Sequence, residues 1–434
     1  MAFNALGWAR TDLVELSLPE GGADGKVLVD VATGQPVATQ AALGGDGRPA
    51  VLALLTDVPA YGYRTYRWAT GTPAAQGTAL RISERAIETP FLRLTLDDRG
   101  HFSSIYDVRA GREALAEGER GNVLQAFEDK PLAHDAWDID IFYQDKMWEV
   151  DDLSAVRVVE EGPLRAVLEL RRRFRGSAIV QRITAYAHTP RVDVVTEVDW
   201  HERHTLLKVA FPVAVHAARA TYEIQFGALE RPTHWNTSWD YARFEVVGHR
   251  WADLSEGNYG VSLLNDCKYG HDIKGHTMRL TLIKCATAPD PEADQGQHRF
   301  TYALYPHAGD WRCGTVPEAA ALNDPLLAVA APSAAPAGTP VLSAAMGLVS
   351  CSAEHVVVDT VKVAEDGNGL IVRVYEAYNQ RGRAALRFAT APAAVWECNL
   401  MEENEEPLEV DGQGFTFAIK PFQIRTFRVI PASA

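Results

Sequence analysis

The sequence contains few cysteines, and their number is odd. Five occur in 434 residues: Cys267, Cys285, Cys313, Cys351 and Cys398. An odd number without a C-x-x-C pair does not fit a disulfide framework or a zinc ribbon. The cysteines therefore indicate a reducing compartment, and we expect a cytoplasmic protein.

The sequence also lacks a long apolar run, and it is poor in positive charge. No stretch of about 18 apolar residues is present, which argues against a membrane partner. Residues 1–10 show no basic segment followed by an apolar one, so we expect no signal peptide. The net charge is −15, and an acidic surface argues against nucleic acid as a partner because phosphate binding relies on Lys and Arg.

Helical periodicity is scarce. We expect short helices only at Ala110–Glu119 and Pro317–Leu322. Apolar and polar residues instead alternate at every second position, as in Phe91–Leu96, Val192–Val198 and Met278–Ile283. This alternation is typical of half-buried strands. Many such strands without intervening helices predict an all-β chain built from antiparallel sandwiches.

Two compositional breaks divide the chain. Ala69–Gly77 is rich in Ala, Thr, Pro and Gly, and Ala331–Gly338 is a sharper break of the same kind. They predict an N-terminal β-sandwich at residues 1–80, a large β domain at 81–332 and a C-terminal β domain at 333–434. The middle segment is large for one domain, but sandwiches reach this size.

Acidic and aromatic residues are concentrated in Phe127–Asp140, which holds five carboxylates, a tryptophan and a histidine. A tryptophan ring covers the apolar face of a sugar, while carboxylates accept hydrogen bonds from its hydroxyls. A solvated acidic loop anchored by one tryptophan fits the composition at least as well. The candidate ligand-facing residues are Asp129, Asp135, Trp137 and Asp138.

Two further segments combine polar and aromatic residues. Glu230–Glu245 holds two tryptophans, and Asn265–Asp272 follows the predicted strand Tyr259–Leu264, where loops often carry sites. The alternatives are a loop that satisfies its own backbone and a tight turn closed by Gly270. The candidates are His234, Asn236, Trp239, Asp240, Asn265, Asp266, Lys268 and Tyr269.

Motifs for metal or nucleophilic chemistry are missing. His201 and His204 lack the four-residue helical spacing of a zinc motif and would point to opposite faces of a strand. The sequence has no phosphate-binding glycine loop and no G-x-S-x-G motif. Glycosidase chemistry needs two carboxylates about 5–9 Å apart, and spacing along a chain does not identify such a pair. We therefore expect no bound metal in this chain, and the residues alone leave a catalytic carboxylate pair unidentified.

Several segments resemble glycoside hydrolase family 38 α-mannosidases, most closely the cytosolic branch. Residues 230–245 look like a signature segment of that family, and the resemblance covers essentially the whole chain. The similar segments are Phe3–Arg10, Asp135–Asp138, Glu230–Glu245, Trp251–Glu256, Leu264–Gly270, Asp290–Asp294, Phe300–His307 and Pro421–Thr426.

The resemblance implies a fold and a division of roles. Members of the family are retaining, metal-dependent exo-α-mannosidases whose zinc ligands and aspartate nucleophile lie on an N-terminal α/β barrel followed by a helical bundle. Their β region comprises a small sandwich, a large supersandwich similar to galactose mutarotase, and a terminal β domain. This sequence resembles that β region and has no His-x-Asp metal motif, so no catalytic residue carries over to it.

From the resemblance we expect a chain that helps to complete the sugar cleft of an α-mannosidase and is inactive alone. The implied partners are a mannose-containing oligosaccharide and an N-terminal α-mannosidase barrel domain, with zinc or another divalent metal in the full-length enzyme. A homo-oligomer is left open. The first alternative is a stand-alone carbohydrate-binding protein. The second is a mutarotase-like epimerase that uses His234 with Asp240, or His271 with Asp266, as acid and base.

Overall fold

The computed structural model describes residues 1–18, 22, 25–44, 48–74, 80–330 and 342–432. These residues are mostly strands, which confirms the all-β prediction. They group into two compact units. The central unit comprises Gly77–Ile224 and Leu229–Asn323, and the terminal unit comprises Met1–Gln76, Gln225–Ala228 and Asp324–Ala434. The predicted break at Ala331–Gly338 lies outside the described residues.

The strands are numbered along the chain. The first group is β1 (Ala2–Asn4), β2 (Arg10–Ser17), β3 (Lys26–Asp30), β4 (Thr39–Leu43), β5 (Pro49–Val58), β6 (Gly62–Arg64) and β7 (Tyr66–Thr70). The second is β8 (Arg81–Ser83), β9 (Ala86–Glu88), β10 (Leu92–Leu96), β11 (Phe102–Asp107), β12 (Arg112–Glu113), β13 (Val123–Glu128), β14 (Met147–Glu149), β15 (Asp152–Glu160), β16 (Arg165–Phe174), β17 (Ser177–Tyr186), β18 (Val192–Trp200), β19 (Thr205–Pro212), β20 (Arg219–Ile224), β21 (Gly227–Pro232), β22 (Val246–Val247), β23 (Trp251–Glu256), β24 (Tyr259–Asn265), β25 (Gly270–Lys274), β26 (Thr277–Lys284) and β27 (Gly296–Ala308). The third is β28 (Leu327–Ala328), β29 (Ala345–Gly347), β30 (Val349–Cys351), β31 (Val356–Val363), β32 (Leu370–Glu376), β33 (Gly382–Phe388), β34 (Pro392–Cys398), β35 (Asn404–Leu408), β36 (Gly414–Ile419) and β37 (Ile424–Pro431). The helices are the 3-10 helix Ile141–Asp145, α1 (Ser238–Tyr241) and α2 (Thr315–Asn323).

Three antiparallel sheets dominate the central unit. The six-stranded sheet has the order β14-β13-β19-β26-β25-β22, and the nine-stranded sheet has the order β15-β16-β17-β18-β27-β24-β23-β20-β21. A five-stranded sheet has the order β12-β11-β10-β9-β8. The predicted strands at Phe91–Leu96, Val192–Val198 and Met278–Ile283 are present as β10, β18 and β26.

One apolar core joins these three sheets. Leu207 and Val209 enter it from the six-stranded sheet, Ile183 and Val194 from the nine-stranded sheet, and Leu94 from the five-stranded sheet. Successive residues of a strand point to opposite faces, so each sheet gives alternate side chains to this core. The result is a large β-sandwich whose six-stranded sheet has a second face directed away from the core.

The terminal unit contains smaller sheets. Their orders are β28-β1-β6-β29, β2-β5-β4, β3-β7, β30-β33-β36 and β31-β32-β37-β34-β35. Val14 and Leu55 belong to one of its cores, while Phe415 and Phe427 belong to another. In the first of these sheets, strands from the beginning of the chain pair with strands that follow the central unit. The division at residues 1–80 and 333–434 remains a prediction.

One of the two predicted helices is wrong. Ala110–Glu119 forms turns around the short strand β12, with positive φ angles of 65° at Gly111 and 75° at Gly118 that an α-helix does not contain. Pro317–Leu322 lies within α2, where the proline occupies the first turn and its missing N–H costs no helical hydrogen bond. No helix in the described ranges is both long and apolar enough to cross a membrane.

Candidate functional site

The second face of the six-stranded sheet carries charged and polar side chains. On β19, Leu207 and Val209 point into the core, so Lys208 between them points to the opposite face. Asp272 on β25 pairs with Arg279 on β26 and therefore shares its side of the sheet. Lys208 is fully buried nonetheless, so other segments must cover this face.

Lys208 is held by two carboxylates. Its Nζ contacts Glu245 Oε2 and lies 3.4 Å from Asp272 Oδ2. Burial alone would lower the pKa of Lys208, but the negative charges of Glu245 and Asp272 outweigh it and raise the pKa above its usual range. The Tyr143 hydroxyl donates to Asp272 Oδ2 at 2.8 Å, and Arg279 Nε lies 3.5 Å from the same oxygen. We refer to these five side chains as the ion cluster.

Two of the predicted segments meet over the ion cluster. Tyr143, in the 3-10 helix that follows the first acidic segment, packs edge-on against Phe127 with ring centroids 5.1 Å apart. Phe244, in the second segment, lies 6.2 Å from Tyr143 between ring centroids. Leu206 completes this small core, and Ile139 packs against it. The structure therefore brings the ends of segments 127–140 and 230–245 together on one face of the sheet.

Asp129 and Asp135 lie near the end of β26. Asp129 is buried and its Oδ2 pairs with Lys284, while its Oδ1 has no hydrogen-bond partner among the described residues. Burial raises the pKa of Asp129 despite the nearby lysine. Asp135 accepts a hydrogen bond of 2.7 Å from the Thr287 backbone N–H, and His204 Nδ1 lies 3.8 Å from its Oδ1. Burial would raise the pKa of Asp135, but the Thr287 hydrogen bonds outweigh burial and lower it.

Trp137 and Asp138 occupy an exposed turn. Their backbone N–H groups donate to the His134 carbonyl at 2.8 and 2.9 Å, and His134 has a positive φ of 54°. The Trp137 side chain is 72% exposed, and Asp138 is also exposed. The turn therefore presents an indole and a carboxylate to solvent.

The second segment presents another exposed indole. Thr237 caps helix α1 by accepting a 3.1 Å hydrogen bond from the Asp240 backbone N–H. Asp240 Oδ2 lies 3.8 Å from His234 Nδ1, so the structure brings these two candidates together. Trp239 is 74% exposed, and Asn236 is also exposed.

The third segment is a closed turn with an exposed aromatic residue. The buried side chain of Asn265 donates to a backbone carbonyl at 2.8 Å and accepts 2.7 Å from the Lys268 N–H. Asp266 Oδ2 accepts 2.9 Å from a backbone N–H of β27. Through these hydrogen bonds, the side chains of Asn265 and Asp266 hold the backbone of the turn in place. Tyr269 is 53% exposed.

The histidine pairs considered for an epimerase differ in exposure. His271 is fully buried, and its Nδ1 lies 3.3 Å from the Tyr269 carbonyl oxygen. Asp266, its suggested partner, is exposed. The His234–Asp240 pair is partly exposed. In the described part of the chain, no group of three or more His, Cys, Asp or Glu side chains is placed to hold a metal ion.

Sequence reasoning missed the ion cluster as a unit, although one of its members gave a signal. Lys208 interrupts the otherwise apolar run Leu206–Phe211, and a lysine among buried strand residues requires a counter-charge. Its partners are distant in sequence, because Glu245 lies 37 residues away and Asp272 lies 64 residues away. The run therefore carries a signal of a buried charge, but it does not identify the partners of that charge.

Two family models match the chain. The glycosyl hydrolases family 38 C-terminal domain matches residues 87–292, which fall in the central unit apart from Gln225–Ala228. The glycosyl hydrolases family 38 C-terminal beta sandwich domain matches residues 355–427, which fall in the terminal unit.

Curated relatives and a solved structure agree with these models. The chain is 40% identical to alpha-mannosidase 2C1 of Homo sapiens over 352 residues, which are 79% of this chain and 33% of the relative. It is 38% identical to alpha-mannosidase G of Dictyostelium discoideum over 356 residues, 79% of this chain and 32% of the relative. An alpha-mannosidase structure from Enterococcus faecalis V583 has the same fold, with a TM-score of 0.78 at 17% identity over 98% of this chain and 55% of that one. The chain thus spans about a third of its curated relatives, and it belongs to glycosyl hydrolase family 38 as the family's C-terminal β region.

Proposed function

We propose that this chain is the β portion of a retaining α-mannosidase, and that it completes the cleft for a terminal α-mannoside without hydrolysing the mannoside alone. The observation that carries the proposal is its 40% identity to an α-mannosidase over 79% of its length, combined with coverage of only 33% of that relative. The catalytic aspartate and the zinc or other divalent ion would then belong to the N-terminal α-mannosidase barrel domain. We also propose a cytoplasmic location, supported by five free cysteines.

The exposed indoles of Trp137 and Trp239 are the proposed contacts to sugar. Each is more than two-thirds exposed on a short turn or helix whose backbone is fixed by hydrogen bonds, so binding need not pay again to order that backbone. Asp138 and Asn236 are exposed close to them in sequence and supply groups for sugar hydroxyls. Asn265 and Asp129 act differently, because they are buried and hold the segments in place.

The same segments supply the proposed docking surface for the barrel domain. Large apolar side chains are exposed in the first segment and in the 3-10 helix that follows it, namely Leu132 at 88% and Phe142 at 61%. Exposed apolar side chains of this size are typical of surfaces that become covered by a partner. Their occupant is, in this proposal, the catalytic part that precedes the matched region in the relatives.

Complementation tests this function. The chain is mixed with the segment of alpha-mannosidase 2C1 that precedes the matched region, and hydrolysis of an aryl α-mannoside is measured with zinc or cobalt added. We expect turnover from the mixture and none from either part. Trp137→Ala or Trp239→Ala should lower the restored turnover about tenfold or more. The matched control is Met401→Ala, which removes a side chain that is 80% exposed in the terminal unit and should have no effect. Robust turnover by this chain alone would overturn the proposal.

A stand-alone carbohydrate-binding role is the second candidate, favoured by the exposure of the two indoles. It requires saturable binding of a mannoside by the isolated chain, measured by calorimetry at millimolar sugar. Binding should weaken in Trp137→Ala and Trp239→Ala and remain unchanged in Met401→Ala. The absence of heat at these concentrations would count against this role and leave the complementation assay unaffected.

A further inference from the structure

The polar face of the six-stranded sheet forms a cavity beside the ion cluster. Its volume is about 360 Å³, near the lower end of the range of about 300–1,000 Å³ that is common for small-molecule pockets. The floor comes from alternate residues of four strands: β13, β14, β19 and β26. The polar side chains that line it include Arg120, Gln125, Gln144, Glu149, Thr277 and Arg279.

Arg279 connects the cavity to the ion cluster. Its Nε is buried and has no hydrogen-bond partner among the described residues, although Asp272 Oδ2 lies 3.5 Å away. Asp272 already accepts a hydrogen bond from Tyr143 and lies next to Lys208. A guanidinium carries five N–H donors, so one long ion pair leaves most of its donor capacity unused. Arg279 therefore directs hydrogen-bonding capacity toward the cavity.

Two glutamines add both kinds of hydrogen-bonding group. Gln125 Oε1 is buried without a hydrogen-bond partner in the part of the chain that the structure describes. Gln144 Nε2 donates to the Tyr143 hydroxyl at 3.1 Å, which leaves its amide oxygen for the cavity. Unpartnered buried polar atoms are rare in native proteins because each costs about 1–3 kcal/mol. A ligand with several hydroxyls would satisfy such atoms as donor and as acceptor.

The charges lining the cavity balance. Arg120 forms a two-pronged ion pair with Glu149, with Nη2 2.9 Å from each carboxylate oxygen. The remaining lining charges are one cation, Arg279, and one anion, Glu119. An anionic ligand would therefore approach two carboxylates as well as two guanidinium groups. A neutral ligand can use both groups of the Arg120–Glu149 pair without separating it.

We propose that this cavity is a binding site for a neutral, monosaccharide-sized polyol. Its lining residues are other than the twelve cleft candidates, so the proposal does not depend on those residues contacting sugar. The residues that line the cavity all belong to the central unit.

Methionine methyl NMR offers a direct test, since the chain has only five methionines. Met147 lines the cavity, Met278 lies in the core on the opposite face of β26, and Met346 and Met401 lie in the terminal unit. The chain is labelled at the methionine methyl groups and titrated with mannose, glucose, mannitol and glucuronate. We expect a saturable shift of the Met147 signal with the neutral sugars and no change at Met401.

Variants separate this site from the cleft. Thr277→Val removes a hydroxyl group and keeps the size of the side chain, whereas Arg279→Lys removes the forked guanidinium and keeps the positive charge. Each variant should weaken neutral-sugar binding about threefold to tenfold. Trp137→Ala and Trp239→Ala should leave the Met147 titration unchanged even where complementation fails. No Met147 shift at about 10 mM neutral sugar, where a site with a Kd of about 1 mM is mostly occupied, would overturn the proposal. A shift produced by glucuronate and not by mannose or glucose would overturn the assignment to neutral ligands.

Discussion

Replacing Lys208 by methionine tests whether the ion cluster holds the central unit together. Lys208→Met keeps an unbranched side chain of similar length and replaces the charged ammonium end with an uncharged thioether. Glu245 and Asp272 then face each other on the sheet without the cation that lies between them in the native protein. Asp272 has only 2% of its side chain exposed, so water cannot replace the lost counter-charge.

The expected loss follows from this burial. Removing one partner of a buried ion pair costs about 3–5 kcal/mol, because an uncompensated charge remains in a medium of low polarity. Arg279 and the Tyr143 hydroxyl still contact Asp272, which places the expected loss of unfolding free energy at the lower end, about 3 kcal/mol. Adding Asp272→Asn to Lys208→Met should recover about 1 kcal/mol or more, since it removes one of the two unpaired charges.

Urea denaturation followed by circular dichroism measures these differences, with separate transitions fitted where the two units unfold apart. The matched control is Lys146→Met. Lys146 pairs with Glu128 at 3.2 Å but is 55% exposed, so its loss should cost less than about 1 kcal/mol. A Lys208→Met variant within about 0.5 kcal/mol of the native protein would refute the reasoning that the buried lysine compensates the carboxylates.

Three further perturbations address neighbouring residues. Burial lowers the pKa of His271 to about 4. The free energy of unfolding that this shift contributes above pH 6.5 should fall by about 3 kcal/mol as the pH drops toward 4. His271→Phe should reduce that fall when the urea midpoint is measured at decreasing pH. Burial raises the pKa of Tyr143 to about 12. The stability that this shift contributes is present below pH 10 and is lost as the pH rises from 10 to 12. Tyr143→Phe should therefore reduce the alkaline loss of stability by up to about 3 kcal/mol. In Gly270→Ala the new Cβ would lie 2.6 Å from Glu245 Oε1, so we expect a loss of about 1–3 kcal/mol in urea. A Cβ at Gly257 would have no atom within 4 Å among the described residues beyond its chain neighbours, so Gly257→Ala should lose less than about 1 kcal/mol. Equal midpoints for the two glycine variants, or unchanged pH slopes for the other two, would contradict these assignments.

The sequence predicted strands well because their signal is local. In Met278–Ile283 alternate residues are apolar, and that pattern alone indicates a strand with one face in a core. The helix predicted at Ala110–Glu119 failed for a local reason too, since two glycines there adopt positive φ angles. Sequence composition could not show this, because glycine also occurs in helices, at a cost.

Contacts between distant segments were beyond sequence reasoning. Composition marked Phe127–Asp140 and Glu230–Glu245 as unusual, but nothing in either segment shows that Tyr143 and Phe244 pack together. The strands that follow these two residues, β14 and β22, lie at opposite edges of the six-stranded sheet. The contact therefore arises between segments that cross the face of the sheet, and not between neighbouring strands. Burial was equally hidden: Asn265 and Trp137 both lie in polar segments, yet Asn265 is 1% exposed and Trp137 is 72% exposed.

Variants of the ion cluster and of the exposed indoles test different parts of the proposed function. Tyr143 and Glu245 tether two segments of the proposed cleft to the sheet through Asp272 and Lys208. Loss of Lys208 should therefore reduce complementation by loosening the segments, and the reduction should grow with temperature along with the loss of stability. Loss of Trp137 should reduce complementation at every temperature without changing stability, because the side chain is exposed and packs into no core. If both variants lost turnover in proportion to their stability, Trp137 would be a structural residue and not a contact to sugar.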